Sequence, residues 1–354
     1  MLGERRIVVA NILITGCAGF IGNHLTEYFL NRGDDLTGID NLSRKGADLN
    51  LKYFSEHSNF KFQKADVRES DKIVDIFKEY GPFDLIIHQA AQVAVTTSVI
   101  DPREDLEINI MGTFNLLEAT RKLSPDAFFE FASTNKVYGK LADIEVAEKD
   151  NRYEFADNKY GISEENSLDF YSPYGCSKGA ADQYVRDYSR IYGLNTVVLR
   201  KSCIYGTRQY GVEDQGWVAW FVIAAVLNLP MSIYGDGKQI RDILWIDDLV
   251  GLYAGLFENS EKTKGEVFNV GGGPENTLSV NELVKILKEE GLLKEDPVRK
   301  DWRPGDQKVY VSDINKTYDA IGWKPEVNRS DGIRKLIEWV RENKETIEDL
   351  LAGK

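Results

Sequence analysis

Tyr174 and Lys178 stand four residues apart in Ser172-Pro173-Tyr174-Gly175-Cys176-Ser177-Lys178, at the opening of a helical run. One helical turn puts both side chains on one face. A phenol with its ordinary pKa of about 10 is a poor base near neutrality, and a neighbouring ammonium favours its ionised form. The pair is therefore expected to take a proton from a sugar or alcohol hydroxyl while hydride leaves the same carbon. The spacing recurs by chance in many helices, so this chemistry needs two further parts. One is a hydride acceptor, the other a hydroxyl partner for the tyrosine.

The elements before the pair supply both. Residues 7–14 read as a strand with apolar residues on both faces, as in a buried parallel sheet. It runs into Thr15-Gly16-Cys17-Ala18-Gly19-Phe20-Ile21-Gly22 and then a helical pattern to about Asn31. In that context glycines let the backbone approach a pyrophosphate, and the helix N-terminus offers amide donors and a partial positive charge. The next strand, residues 35–39, ends at Asp40, where a carboxylate accepts from ribose hydroxyls and repels a 2′-phosphate, favouring NAD over NADP. Arg44 and Lys45 follow closely and work against that preference. Asp66, after the strand at 60–62, is placed to meet the adenine amino group. Gln89-Ala90-Ala91-Gln92 lets backbone lie against a dinucleotide, and the strand 128–131 delivers Thr134 to the sheet's carboxyl edge as the partner of Tyr174. The polar residues of 109–116 are as well suited to capping and packing as to function.

After the helix carrying Lys178, a strand at 196–199 is expected to complete a six-strand core. Regularity then weakens into loops at Arg208-Gln209-Tyr210, at 214–217, at 234–242, at Gly271-Gly272-Gly273 and at Arg303-Pro304-Gly305-Asp306-Gln307. Amphipathic helices at 281–290 and 331–351 close the chain. The expected fold is α/β: a Rossmann-type doubly wound parallel sheet over residues 1–200, and a smaller substrate-binding α/β domain over 201–354, with some segments returning to the first. Arg241 and Arg303 are cations in glycine loops, suited either to a diphosphate or to structural salt bridges.

Composition excludes several function classes. With 354 residues, 42% hydrophobic and 29% charged, the chain has the make-up of a soluble globular protein. A net charge of −13 argues against nucleic acid or anionic membrane as partners. Cys17, Cys176 and Cys203 are too scattered for disulfides or a metal site, which suits a reducing cytoplasm, and His24, His57 and His88 lack metal-ligand spacing. Arg5 and Arg6 precede an apolar run, but it is short and β-branched and enters a glycine turn, unlike a secretory signal. The apolar run 217–229 is too short to span a bilayer.

In order and context, Thr15-Gly-x-x-Gly19-x-x-Gly22, Asp40, Thr134, Tyr174 and Lys178 resemble the extended short-chain dehydrogenases/reductases of the NAD-dependent epimerase/dehydratase family. The likeness runs through Tyr-Gly-x-Gly-x-Gln-x-Arg241-Asp and Arg303-x-Gly-Asp306, nearly the whole chain. It implies a catalytic set of Thr134, Tyr174 and Lys178. It implies tightly bound NAD on Thr15, Gly16, Gly19, Phe20, Ile21, Gly22, Asp40, Asn41, Asp66, Val67, Ala90, Ala91, Gln92, Asn109, Tyr174 and Lys178. A nucleotide sugar would lie against Thr97, Thr134, Asn135, Arg208, Gln209, Gln239, Arg241, Arg303 and Asp306. The resemblance also implies homodimers or homotetramers built through helices near 105–121 and 176–192.

Several segments look more particular: Asp40 to Gly46, Gln92 to Ser98, Ser133 to Gly139, Asp214 to Phe221 and Ser172 to Tyr184. They resemble the branch that inverts C2 of CDP-linked hexoses, implying oxidation at C2 to a 2-keto intermediate and hydride return to the opposite face. Family dehydratases carry an acidic residue directly after the catalytic threonine, where this chain has Asn135-Lys136. Family 4-epimerases usually carry an asparagine where Cys203 stands. A UDP-sugar 4-epimerase and a non-catalytic NAD-binding regulator are the alternatives, the second disfavoured by the intact Thr134, Tyr174 and Lys178. A net dehydrogenase would need a second nucleophile, and Cys176 reads as a packing residue.

Overall fold

The computed structural model describes residues 9–293, 295–303 and 306–353. The first two positions of the expected strand 7–14, and Pro304 and Gly305 of the loop 303–307, lie outside them.

Seven parallel strands form the central sheet: β1 (Asn11–Thr15), β2 (Asp35–Asp40), β3 (Phe60–Lys64), β4 (Leu85–His88), β5 (Phe128–Thr134), β6 (Asn195–Lys201) and β7 (Val267–Val270). Their spatial order is β3-β2-β1-β4-β5-β6-β7. The order reverses between β1 and β4, the place where such sheets open a crevice at their carboxyl ends. Ile12, Leu13 and Ile14 of β1 are wholly buried, as expected of a strand covered on both faces.

The six-strand expectation is corrected by β7, which comes from the C-terminal half and extends the sheet beyond β6. Helix α3 (Ile246–Glu258) likewise returns to pack beside α1 (Phe20–Arg32), with Phe257 against Phe128. Both segments are strongly apolar, so burial against the first sheet removes more surface from water than a separate second layer would. One apolar core therefore runs from β1 and α1 through α3 into the C-terminal helices Trp217–Leu227 and Arg329–Glu342. A second core packs the helices Ser70–Tyr80, Gly112–Leu123 and α2 (Ser172–Tyr192) on the opposite face.

Four further strands make a small mixed sheet in which Ile240–Trp245 pairs with Cys203–Tyr205, Thr277–Ser279 and Val309–Tyr310. Its first strand starts just past the end of β6, so the loop around 207–216, and with it Gln307, is delivered to the same edge as Thr134.

Helix α2 is clamped to the sheet from below. Asp182 and Arg200 are buried and joined by two hydrogen bonds, of 2.9 and 3.1 Å, and Ser133 donates to Asp182 at 2.8 Å. Removing one member of such a pair leaves a buried charge uncompensated, which typically costs about 3–5 kcal/mol. Pro173 occupies the first turn of α2, and Gly193 closes it in the left-handed conformation (φ 72°).

Candidate active site

A cavity of about 460 Å³ opens along the carboxyl edge of β1, β2, β4, β5 and β6. At one end lies the glycine loop. Gly16 has φ 70°, and a Cβ there would meet the Ala90 amide nitrogen at 2.8 Å; a Cβ on Gly22 would meet the Gly16 carbonyl oxygen at 1.9 Å. The loop is thus closed to any side chain at those two positions. No side chain caps α1, and Phe20, Ile21 and Gly22, whose amides belong to its first turn, line the cavity. Uncapped first-turn amides with no side chain in front of them suit a pyrophosphate.

Asp40 lines the same end. Its two oxygens accept from Ala18 N at 3.0 Å and Leu42 N at 2.8 Å, leaving acceptor capacity on each. Burial raises its pKa, opposed by those backbone bonds. Ala90, Ala91 and Val67 also line the cavity.

Not every expected cofactor residue faces it. Thr15 has its hydroxyl on His88 Nδ1 at 2.7 Å, and Gln92 spends its amide on Ala94 O and Asp105 Oδ1 at 2.8 and 2.9 Å. Asn109 is held by Gln92, Asp105 and Ser177. These three stand behind the cavity wall, since burying an amide or hydroxyl requires that its bonds be made inside the protein. Asp66 lies on the wall, but Arg68 and Asn41 make four bonds to its carboxylate and Arg68 holds its pKa at about 2. Its expected bond to adenine would have to displace one of them. Asn41 is correspondingly engaged with Asp66 and Ser43.

At the far end are Tyr174, Lys178, Ser133, Ala132 and Lys201. Ser172, just before Pro173, takes a left-handed φ of 75° and accepts from Gly175 N at 3.2 Å; Tyr174 N donates to Ser98 Oγ at 3.1 Å. A non-glycine residue in that conformation is uncommon and clusters at functional sites. The Thr134 side chain acts on the Tyr174 phenol and lowers its pKa, as a hydroxyl partner at that position would.

The electrostatics correct one expectation. Burial pushes the Tyr174 phenol up to about 12, more than the Thr134 bond and the Arg44 charge pull it down. Lys178 is itself pushed down to about 7 by burial, partly offset by Asp182 and Asp105. Its ammonium sits 4.3 Å from the centre of the Phe131 ring. A lysine that close to neutrality lends the phenol little of the stabilisation that its spacing alone implies.

The expected substrate residues fall into three groups. Arg208 and Gln209 line the cavity, with Arg208 held by Glu27 and by His24 of α1. Arg241 pairs with Asp306 at 2.6 Å, and Lys136 approaches the same carboxylate at 3.9 Å. Asn135 donates to Gln307 at 3.4 Å, and Gln239 donates to Tyr234 O at 2.8 Å. Arg303 pairs with Asp214 at 3.0 Å and lies 3.9 Å from the centre of the Tyr234 ring. Thr97 is the third group: it is exposed, and its buried neighbour Ser98 faces α2 instead, because a helix presents adjacent residues in different directions.

Sequence reasoning missed Lys201, the side-chain bonds of Gln89 and the placement of Arg44. Arg44 donates to Gln215 at 3.0 Å across the cleft, and its charge reaches Tyr174. Lys201 ends β6, so the rule that ligands bind at the carboxyl ends of parallel strands was the signal that pointed to it.

A family model described as GDP-mannose 4,6 dehydratase matches residues 13–336. The chain belongs to this family. It is 45% identical over 333 residues to CDP-paratose 2-epimerase of Salmonella typhi, covering 93% of this chain and 98% of that protein. Among solved structures, the UDP-glucose 4-epimerase of Thermotoga maritima with UDP-glucose superposes with a TM-score of 0.81 at 32% identity, over 94% of this chain and 99% of the other. The UDP-glucose 4-epimerase of Thermus thermophilus in complex with NAD gives 0.77 at 31% identity, over 93% and 98%. Among the described residues no helix is long and apolar enough to cross a membrane.

Proposed function

We propose that this chain is a nucleotide-sugar epimerase that inverts C2 of a CDP-hexose with tightly bound NAD. The observation that carries the choice of carbon and nucleotide is the 45% identity to CDP-paratose 2-epimerase along nearly the full length of both proteins. The Tyr174 phenol with Thr134 acting on it, at the end of a cavity whose other end suits a dinucleotide, supports oxidation of a sugar hydroxyl.

NAD bound there supplies the acceptor and later the donor of the hydride. Gly16, Gly19, Phe20, Ile21 and Gly22 would hold its pyrophosphate, and Asp40 its adenosine ribose. Tyr174 is the group placed to take the C2 hydroxyl proton, which it does in its ionised form, with Thr134 bonding the same oxygen and fixing its direction. The resulting 2-keto sugar must present its opposite face before the hydride and the proton return. Asn135 and Lys136 follow Thr134, so the carboxylic acid that elimination needs is missing from that position, which favours epimerisation over dehydration.

Arg241, Arg303, Lys136 and Asp306 form the charged region that would receive the sugar nucleotide, with Gln239 and Asn135 beside it. Homodimers or homotetramers would form through the helices near 105–121 and 176–192, where Leu106, Met111, Tyr184, Ile191 and Tyr192 are exposed. Free Cys17, Cys176 and Cys203 fit a cytoplasmic location.

The likeness to UDP-glucose 4-epimerases favours a second reading, inversion at C4 of a UDP-sugar. A CDP-hexose deuterated at C2, incubated with the protein in ordinary water, separates the two. The first reading expects inversion at C2 with deuterium retained there. Deuterium lost to solvent rejects hydride transfer, and inversion confined to C4 selects the second reading.

A further inference from the structure

Lys201 closes β6 in register with Thr134 on β5, and its side chain enters the cavity at the end that holds Tyr174 and Lys178. Its Nζ donates to Gln89 Oε1 at 2.8 Å, and Gln89 Nε2 donates to the Tyr253 hydroxyl at 2.6 Å. The Tyr253 ring lies 6.0 Å away. Its neighbours are thus an amide and a ring, both neutral, whereas Lys178 has Asp182 and Asp105 within electrostatic reach. A buried cation without a carboxylate partner is costly in a fold and gives up its proton readily; while it is protonated, no carboxylate offsets its charge, which acts on whatever occupies the cavity.

The other end of the cavity has the glycine loop and Asp40. A dinucleotide lying along it therefore brings its nicotinamide to the end lined by Lys178 and Lys201. The oxidised ring carries a positive charge and the reduced ring is neutral. A fixed cation facing that ring destabilises the oxidised form selectively, because like charges repel more strongly at low dielectric. Oxidising a sugar hydroxyl is then easier, and the reduced cofactor is held more tightly while the keto sugar turns.

We propose that Lys201 tunes the redox equilibrium of the bound nicotinamide, held in place by Gln89 and Tyr253. It is a positioning and electrostatic residue rather than a catalytic one. The inference rests on the dinucleotide reading above and is independent of which sugar carbon reacts. Burial and the Lys178 charge hold the Lys201 ammonium well below its ordinary range, so its charge is present at low pH and is lost as pH rises. The titratable groups that face it are Lys178 on α2, His88 on β4 and Tyr253 on α3. His88 is pulled well below its ordinary range by burial and both lysines, and its ring nitrogens are engaged by Thr15 and Thr113. The Tyr253 phenol is pushed far up by burial, so neither His88 nor Tyr253 titrates with Lys201. Lys178, at about 7, does titrate near neutrality, so the effect of Lys201 is read as the difference between parent and variant at each pH.

The test is a redox titration of the dinucleotide bound to the purified holoprotein, followed at the absorbance of the reduced ring, between about pH 6 and pH 9. Lys201→Met and Lys201→Gln should shift the equilibrium toward the oxidised form by roughly tenfold at the low end, from the loss of one nearby charge. For a two-electron couple that is about 30 mV. The shift should shrink toward high pH, and Lys201→Arg should keep the parent equilibrium at low pH. Binding of both cofactor forms weakened equally, or an equilibrium unchanged in Met and Gln variants that retain the dinucleotide, overturns the tuning role alone. If Met and Gln variants fail to fold, an Arg variant whose equilibrium departs from the parent at low pH overturns it. A parent chain that binds no dinucleotide overturns the dinucleotide reading as well, which separates the two failures.

Discussion

The two ends of the site are built from different materials. The dinucleotide end is made of backbone: the Gly16–Gly22 turn, the uncapped start of α1 and one carboxylate at the tip of β2. The region proposed for the sugar nucleotide is made of charged side chains from distant segments, and these are already engaged with one another, Arg241 with Asp306 and Arg303 with Asp214. A backbone cradle is preorganised at no rotamer cost, so it suits a cofactor that stays. Paired side chains must exchange partners to receive a ligand, which suits a substrate that leaves.

The largest expected effect attacks the cradle itself. Gly22→Ala places a methyl 1.9 Å from the Gly16 carbonyl oxygen, so the turn must open. The variant should purify without dinucleotide, as read by mass spectrometry of the denatured protein; full retention would mean that the turn is not the binding element. Next comes chemistry at the junction of the two ends. Tyr174→Phe should keep the bound cofactor yet lose at least ~10²-fold in kcat, the scale of a positioned acid–base group. A near-normal kcat removes the phenol from the mechanism.

Asp40→Ala should reduce discrimination against NADP by roughly tenfold, through loss of one repulsive charge, measured as the ratio of the two affinities. An unchanged ratio would assign the preference to the shape of the turn.

The sugar end should divide in two. Arg303 and Asp214 are exposed enough that their pair contributes little stability, so Arg303→Ala should raise KM with Tm unchanged. Arg241 is 8% exposed, so Arg241→Ala should raise KM and also lower Tm. A fall in Tm without a change in KM makes that residue structural.

The smallest effect concerns Lys178, whose pKa of about 7 in the fold lies below its ordinary 10.5. Between those values the unfolded chain binds the proton more strongly, so this group makes stability rise with pH. Lys178→Met should therefore raise Tm by roughly 2–5 °C at pH 7, and the gap should close toward pH 10. A gap independent of pH would mean that the lysine is charged in the fold throughout that range.

The sequence was most readable where function depends on backbone and on local spacing. The strand–glycine–helix unit, Asp40 at a strand end and the one-turn separation of Tyr174 and Lys178 are local properties, visible without knowing what packs against them. Side-chain commitments were not readable. Thr15, Gln92 and Asn109 carry polar groups in the right segments, yet each is claimed by buried neighbours: His88 in the first case, and Asp105, with Ser177 for Asn109, in the others. Thr97 and Ser98 are adjacent hydroxyls, and only helix orientation decides which of them faces α2.

By itself, the sequence determined the alternation of strands and helices, the glycine turn after β1 and the one-turn spacing of Tyr174 and Lys178. Tertiary structure alone decided that β7 and α3 return from the C-terminal half to the first sheet. It also decided that Arg241 meets Asp306 and that Lys201 enters the cavity with an amide as its hydrogen-bond partner. The pKa values of Tyr174 and Lys178 belong with these, because burial displaces both in the direction opposite to the one their spacing predicts. Spacing along a helix sets which groups are neighbours, but the dielectric around them is set by everything folded on top.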